Sequence, residues 1–210
     1  MAPTVELVAC SKRFGERVAL RRVSFTVAAG TSTALMGANG SGKSTALRIV
    51  AGLVRPTAGA ALVDGIAAVE LDRRSRGQVG YLGHRALVYR GLTADENLTL
   101  FARLYRRPPD SVPAALAEVG LADRAGDRID GFSRGMLQRL ALARILVTEP
   151  GLLLLDEPAT GLDVEGAALL DEVLTRLRRT VTLLAATHDE QFAARHADQV
   201  VQLAQGEVVA

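Results

Sequence analysis

Residues 37–45 read GANGSGKST, a G-x-x-x-x-G-K-[ST] pattern with Gly37, Gly42, Lys43 and Ser44 in its fixed places. The pattern sets chemistry and fold together. Its glycines let the backbone turn tightly, so that the N–H groups along Gly37, Asn39, Gly40, Ser41, Gly42, Lys43, Ser44 and Thr45 surround phosphate oxygens. The helix that follows presents its positive end to the same anion. Lys43 supplies a mobile cation to the β- and γ-phosphates, and the Ser44 hydroxyl is a ligand for Mg²⁺. An ordinary Gly-rich turn is the bland alternative, but from average residue usage a chance match in a chain of this size is on the order of one per cent.

A second stretch, LLLLDEPATGLD at 152–163, drives four leucines into two carboxylates. In a phosphate-loop protein a buried parallel strand ends beside the phosphates. Asp156 at its tip is then placed to hold Mg²⁺, and Glu157 to accept a proton from an attacking water. Without the upstream loop, the same pair would read as a solvated turn.

At 210 residues and 49% hydrophobic content, the chain has material for one large domain, or one with an inserted subdomain. The 25 basic and 23 acidic residues nearly balance, so charge gives no argument for nucleic acid as a partner. Cys10 is the only cysteine, which excludes a disulfide framework and a Cys-rich metal site. No window approaches the ~18 apolar residues of a membrane span. The start, MAPTVELVACSKRFGE, lacks the apolar core of a signal peptide. The expectation is a cytoplasmic chain whose membrane association comes through a partner.

Short β-rich runs at 5–9, 23–27 and 33–37 predict a small antiparallel layer leading into a buried strand, and Leu47, Val50, Ala51 and Val54 then mark one helical face. Strands are expected at 59–65 and 79–82. The middle reads as helical. Thr93 and Glu96 form a capping box, Pro108 and Pro109 stop that helix, a second helix lies near 111–119, and a third begins at Ser133. From 151 an α/β rhythm returns, with a strand at 152–155, a helix at 164–178, a strand at 181–186, a short helix and VVQL near the end. The simplest description is α/β segments flanking a helical insertion.

Five motifs in order make the chain resemble the ATP-binding subunit of ABC transporters over essentially its whole length. They are the phosphate loop, FSRGMLQR at 132–139, LLLLDEP, TGLD at 160–163 and ATHDE at 186–190. The resemblance implies a P-loop NTPase ABC ATPase domain spanning 1–210, with an N-terminal antiparallel β subdomain and a helical insertion at about 85–150. It implies that Phe14 stacks on adenine, that His188 contacts the γ-phosphate and orients the nucleophilic water, and that Ser133 and Gly135 touch the γ-phosphate bound by a second copy of the chain. Asp163 would couple two sites across that copy. ATP and Mg²⁺ are the implied ligands. A head-to-tail dimer and a transmembrane permease are the implied partners, with the chain peripheral on the cytoplasmic face of the membrane.

Two departures stand out. Arg134 and Met136 replace the usual glycine and polar residue, Arg134 either adding charge near the γ-phosphate or facing solvent. His84 occupies the place of the family's Q-loop glutamine, with an exposed loop histidine as the bland reading. The Gly-His pair and the Ser-x-Gly-Met signature look like the ATP-binding subunit of the heme exporter of cytochrome c maturation. The alternatives are the ATPase of a drug, lipid or polysaccharide exporter and, from another class, a soluble ABC ATPase acting as a mechanical clamp.

Overall fold

The first two strands, β1 (Val5–Phe14) and β2 (Arg17–Val27), form an antiparallel hairpin that turns at Gly15, whose φ of 58° is left-handed. Both strands run far beyond the predicted 5–9 and 23–27. The reason is irregularity: the register shifts between Leu7 and Cys10 and again before Arg13, and Ala9 and Arg22 sit at φ 44° and 47°. Bulges of this kind break the period-2 alternation by which a strand is read. The computed structural model describes residues 2–83, 86–160 and 162–209.

The chain packs as two units, one comprising Met1–Tyr81, Gly151–Pro158 and Leu177–Ala210, the other Leu82–Pro150 and Ala159–Arg176. The first unit carries two sheets. β3 (Ser32–Met36) leads into the phosphate loop and α1 (Lys43–Val50), and β4 (Ala58–Val63) and β5 (Ile66–Ala67) follow. The short α2 (Arg73–Arg76) and β6 (Val79–Leu82) come next. The antiparallel sheet has the order β2-β1-β4-β5. Later in the chain, β7 (Leu152–Asp156), β8 (Thr182–Thr187), β9 (Gln199–Ala204) and β10 (Glu207–Val209) complete a six-stranded sheet ordered β10-β9-β3-β8-β7-β6. In it β3 pairs in parallel with β8 and β9, and β7 with β8.

Every residue of β7 and β8 is buried, which explains four consecutive leucines: a central parallel strand is covered on both faces and needs no alternation. β9, nearer the edge, returns to alternating burial at its end. The core of this unit joins Leu35, Leu47, Ile49, Leu152, Leu154 and Leu184 with Cys10 and Leu20. Burial pushes the Cys10 thiol up to about 11, so it stays a protonated core side chain.

The second unit is helical, with α3 (Ala94–Leu104), α4 (Ser111–Glu118), α5 (Arg134–Thr148) and most of α6 (Val164–Leu177). Thr93 and Glu96 close the capping box reciprocally, at 3.2 Å and 2.8 Å. Leu98, Ala102, Val112, Leu116, Leu140 and Val147 form its core, against which Leu169 of α6 also packs. The segment before α3 is pinned to this core. Buried Asn97 accepts from Tyr89 N–H at 2.7 Å and donates to Tyr89 O at 3.1 Å, and Arg144 Nη1 donates to Leu87 O at 3.1 Å. The Arg144 guanidinium also lies 5.1 Å over the Phe101 ring, and burial lowers its pKa. In the first unit a last helix, α7 (Glu190–His196), is capped by Asp189, which accepts from the N–H groups of Gln191 and Phe192.

Candidate active site

The phosphate loop is shaped by what packs behind it. A Cβ at Gly37, where φ is 147°, would lie 2.1 Å from Leu203 O of β9; one at Gly42, where φ is 111°, would lie 2.5 Å from Ala19 O of β2. No L side chain fits either place. The loop is further tied down by Gly206 N–H, in the turn between β9 and β10, which donates to Ser41 O at 3.0 Å. Asn39, Gly40 and Thr45 lie in the same continuous loop-to-helix segment, and Gly42 is the residue from which α1 starts. Ser41 Oγ is buried without a hydrogen-bond partner.

Lys43 is only 5% exposed and arches back over the loop, donating to Gly37 O at 2.7 Å and Ala38 O at 3.3 Å. Its Nζ stands 3.4 Å from Glu157 Oε1. The other Glu157 oxygen, Oε2, is 2.8 Å from His188 Nδ1. An ionised carboxylate only accepts, so Nδ1 is the donor in this pairing and Nε2 of a neutral ring remains an acceptor. Glu157 reaches both partners because its backbone turns sharply at the end of β7: φ is 52°, a left-handed conformation that costs roughly 1–2 kcal/mol for a residue with a Cβ. Its N–H donates to Ala186 O of β8 at 2.8 Å, which holds the turn. Lys43, Glu157 and His188, far apart in sequence, thus form one chain of contacts beside the loop.

Asp156 is 3% exposed at the tip of β7. Ser44 Oγ donates to its Oδ1 at 2.6 Å, and Tyr81 Oη to its Oδ2 at 2.9 Å. Ser44 and Asp156 offer hard oxygen donors of the kind Mg²⁺ selects. Among the described residues no group of three or more His, Cys, Asp or Glu converges on a metal position. The glycine cradle, the buried lysine and this oxygen pair suit a Mg²⁺–nucleotide.

Phe14 is 50% exposed at the end of β1, with Lys12 Nζ 4.9 Å over its ring. An aromatic face outside the core suits stacking on a flat base. In the second unit, Ser133 is the N-cap of α5, its Oγ accepting from Met136 N–H at 3.2 Å. A Cβ on Gly135 would sit 3.4 Å from Asp163 Oδ2, while Asp163 Oδ1 accepts from Gly166 N–H at 2.8 Å. Ser133, Gly135 and Asp163 therefore lie together at the start of α5. Arg134 is exposed and lines a groove of about 550 Å³ with Leu87, Val88, Arg90, Leu137 and Gln138. His84 lies outside the described residues.

Sequence reasoning missed Tyr81. Its signal is visible only once strands are paired: β6 neighbours β7, Leu152 N–H donates to Gln78 O at 2.9 Å, and Tyr81 comes level with Asp156 at the strand ends. Burial, and then the Asp156 charge, push the Tyr81 hydroxyl up to about 12, so it is a donor at neutral pH.

The family model for ABC transporters matches residues 20–160. The ABC transporter ATP-binding protein NatA of Bacillus subtilis (strain 168) is 34% identical over 215 residues, which cover 98% of this chain and 87% of NatA. The aliphatic sulfonates import ATP-binding protein SsuB 1 of Burkholderia lata is 41% identical over 206 residues, covering 97% of this chain but 62% of its own length. Among solved structures, a dimeric ATP-binding cassette in a post-hydrolysis state, bound to ADP and Pi, matches with a TM-score of 0.87 at 29% identity. That match covers 98% of this chain and 97% of the other.

Proposed function

The chain belongs to the ABC transporter family and is an ATPase of the ATP-binding-subunit type; from this premise we propose that it hydrolyses ATP to drive a transmembrane permease, working as a head-to-tail pair with two ATP molecules between the copies. The observation that carries the reading is Glu157, held between Lys43 and His188 at the tip of β7 beside the phosphate loop. In this reading Glu157 takes the proton from the attacking water, and His188 orients that water and the γ-phosphate. Lys43 and the loop amides hold the phosphates, and Phe14 holds the base. Mg²⁺, when bound by Ser44 and the Asp156 carboxylate, spreads the charge that develops on the transferring phosphoryl group. Ser133 and Gly135 supply the partner copy's γ-phosphate with the positive end of α5, and Asp163 lies against Gly135 to link the two sites.

No described helix is long and apolar enough to cross a membrane, so membrane attachment in this reading comes through the permease, with the chain peripheral to it. We place the docking surface for that partner on the segment around 84–110 and the helices beside it; Leu87, Val88 and Arg90 of this segment line a groove with Arg134, Leu137 and Gln138 of α5.

The cargo is proposed from sequence alone. The Phe-Ser-Arg-Gly-Met signature and the Gly83–His84 pair favour heme export, or release of a heme-loaded chaperone, in cytochrome c maturation. SsuB 1 is named for aliphatic sulfonate import, so similarity of the engine singles out no cargo; the alternative reading is an exporter of drugs, lipids or polysaccharides. The experiment is to purify the membrane complex through a tag on this subunit, then take the mass of the co-purifying chains and their absorption spectrum. A permease with a heme band is the expected result. A heme-free complex with a permease overturns the cargo and keeps the ATPase; a soluble complex with no membrane protein overturns the transporter reading in favour of a mechanical clamp.

A further inference from the structure

The buried Asp156 carboxylate is clasped on both sides. Ser44 Oγ, on the first turn of α1, donates to Oδ1 at 2.6 Å, and Tyr81 Oη, near the end of β6, donates to Oδ2 at 2.9 Å. The carboxylate is therefore held from α1 through Ser44 and from β6 through Tyr81.

A carboxylate on a short side chain is otherwise free to rotate about its last bond, where the torsional wells are broad. One donor on each oxygen removes that freedom. Each oxygen keeps a lone pair for a further partner. A carboxylate so fixed presents those lone pairs in one plane, and residues that orient a metal's ligands commonly govern metal affinity by tenfold or more. The Tyr81 ring packs against the core of its unit, so the hydroxyl is held by the ring rather than by the bond it makes.

We propose that Tyr81 is a positioning residue for the metal: by holding Asp156 Oδ2 it sets the orientation in which Ser44 and Asp156 receive Mg²⁺. The proposal rests on the reading of the site as a Mg²⁺–ATP site.

The test is Tyr81→Phe, which keeps the ring and removes only the hydroxyl. Mn²⁺ stands in for Mg²⁺, and its binding to the full chain with ATP is read from the loss of the free-ion electron paramagnetic resonance signal. ATP affinity in excess chelator is measured in parallel. The expected result is a Mn²⁺ affinity about tenfold weaker, with metal-free ATP affinity unchanged. In an Asp156→Asn background the same substitution should change Mn²⁺ affinity no further, because Tyr81 acts through that carboxylate. Unaltered Mn²⁺ affinity in Tyr81→Phe, or an equal loss in the Asp156→Asn background, overturns the proposal and leaves Tyr81 a packing residue. A parent chain that binds no ATP in either condition overturns the site reading itself.

Discussion

Glu157 shows how much of this site depends on a single backbone torsion. A left-handed turn directly after the fully buried β7 swings its carboxylate out between Lys43 and His188, and the Ala186 carbonyl secures it. Gly42 is the complementary case, a position that no other residue can occupy. In Gly42→Ala the new methyl meets the Ala19 carbonyl at 2.5 Å on a backbone already at φ 111°, and strain of that kind costs of order 1–3 kcal/mol. The loop relieves it by opening, so ATP affinity should fall about tenfold or more, the equivalent of about 1.4 kcal/mol. Isothermal titration of parent and variant checks this; equal affinities contradict the role given to the loop. Gly37, Lys43, Ser44, Asp156 and Glu157 were legible in the sequence because each sits in a contiguous motif whose spacing is set by one loop or one strand end. Tyr81 was not, since its meaning comes from lying on the strand beside Asp156, which spacing along the chain does not encode.

Among the elements, the six-stranded sheet is held at one end by a compact exchange between β3 and β9. Asp198 Oδ2 accepts from Ser32 N–H at 2.9 Å, Asp198 N–H donates to Ser32 O at 2.8 Å, and Arg178 Nη2 donates to Oδ1 at 2.9 Å. The Arg178 bond first, and then the Ser32 N–H, hold the Asp198 carboxyl below the usual carboxylate range. A native value below the unfolded one means that the native chain binds fewer protons, so the contribution is complete above the unfolded pKa, near 3.9, and is lost as pH falls through the native value. Because the pair is partly exposed, its worth is at most about 1 kcal/mol. Asp198→Asn should therefore lower the melting temperature at pH 7, and the gap from the parent should narrow as pH falls below the unfolded pKa, near 3.9. An offset that stays constant as the carboxylate protonates contradicts the electrostatic origin. The long hairpin of β1 and β2 escaped sequence reading for a related reason: its bulges at Ala9 and Arg22 are tertiary adjustments that erase the alternation. α2, four residues with no buried side chain, offers no apolar face to read. By contrast α3 was legible from its capping box, and β7 from its leucines.

At the scale of the whole molecule, the candidate residues fall into two sets on two units. Phe14, the phosphate loop, Asp156, Glu157 and His188 belong to the first unit; Ser133, Gly135 and Asp163 belong to the second. The sequence placed every member in order but not the grouping of Asp163 with Gly135, because 27 residues, including the rest of α5 and all of β7, separate them along the chain. In the proposed function the two sets meet when copies of the chain pair around ATP, with Glu157 as the base on which turnover depends. Glu157→Gln with Lys43 and His188 left in place tests that claim most directly. The variant should bind ATP as the parent does, lose turnover by about 10²–10⁴-fold, and elute as an ATP-dependent dimer in size-exclusion chromatography. Turnover equal to the parent's would remove Glu157 from the role of base and contradict the account at its centre.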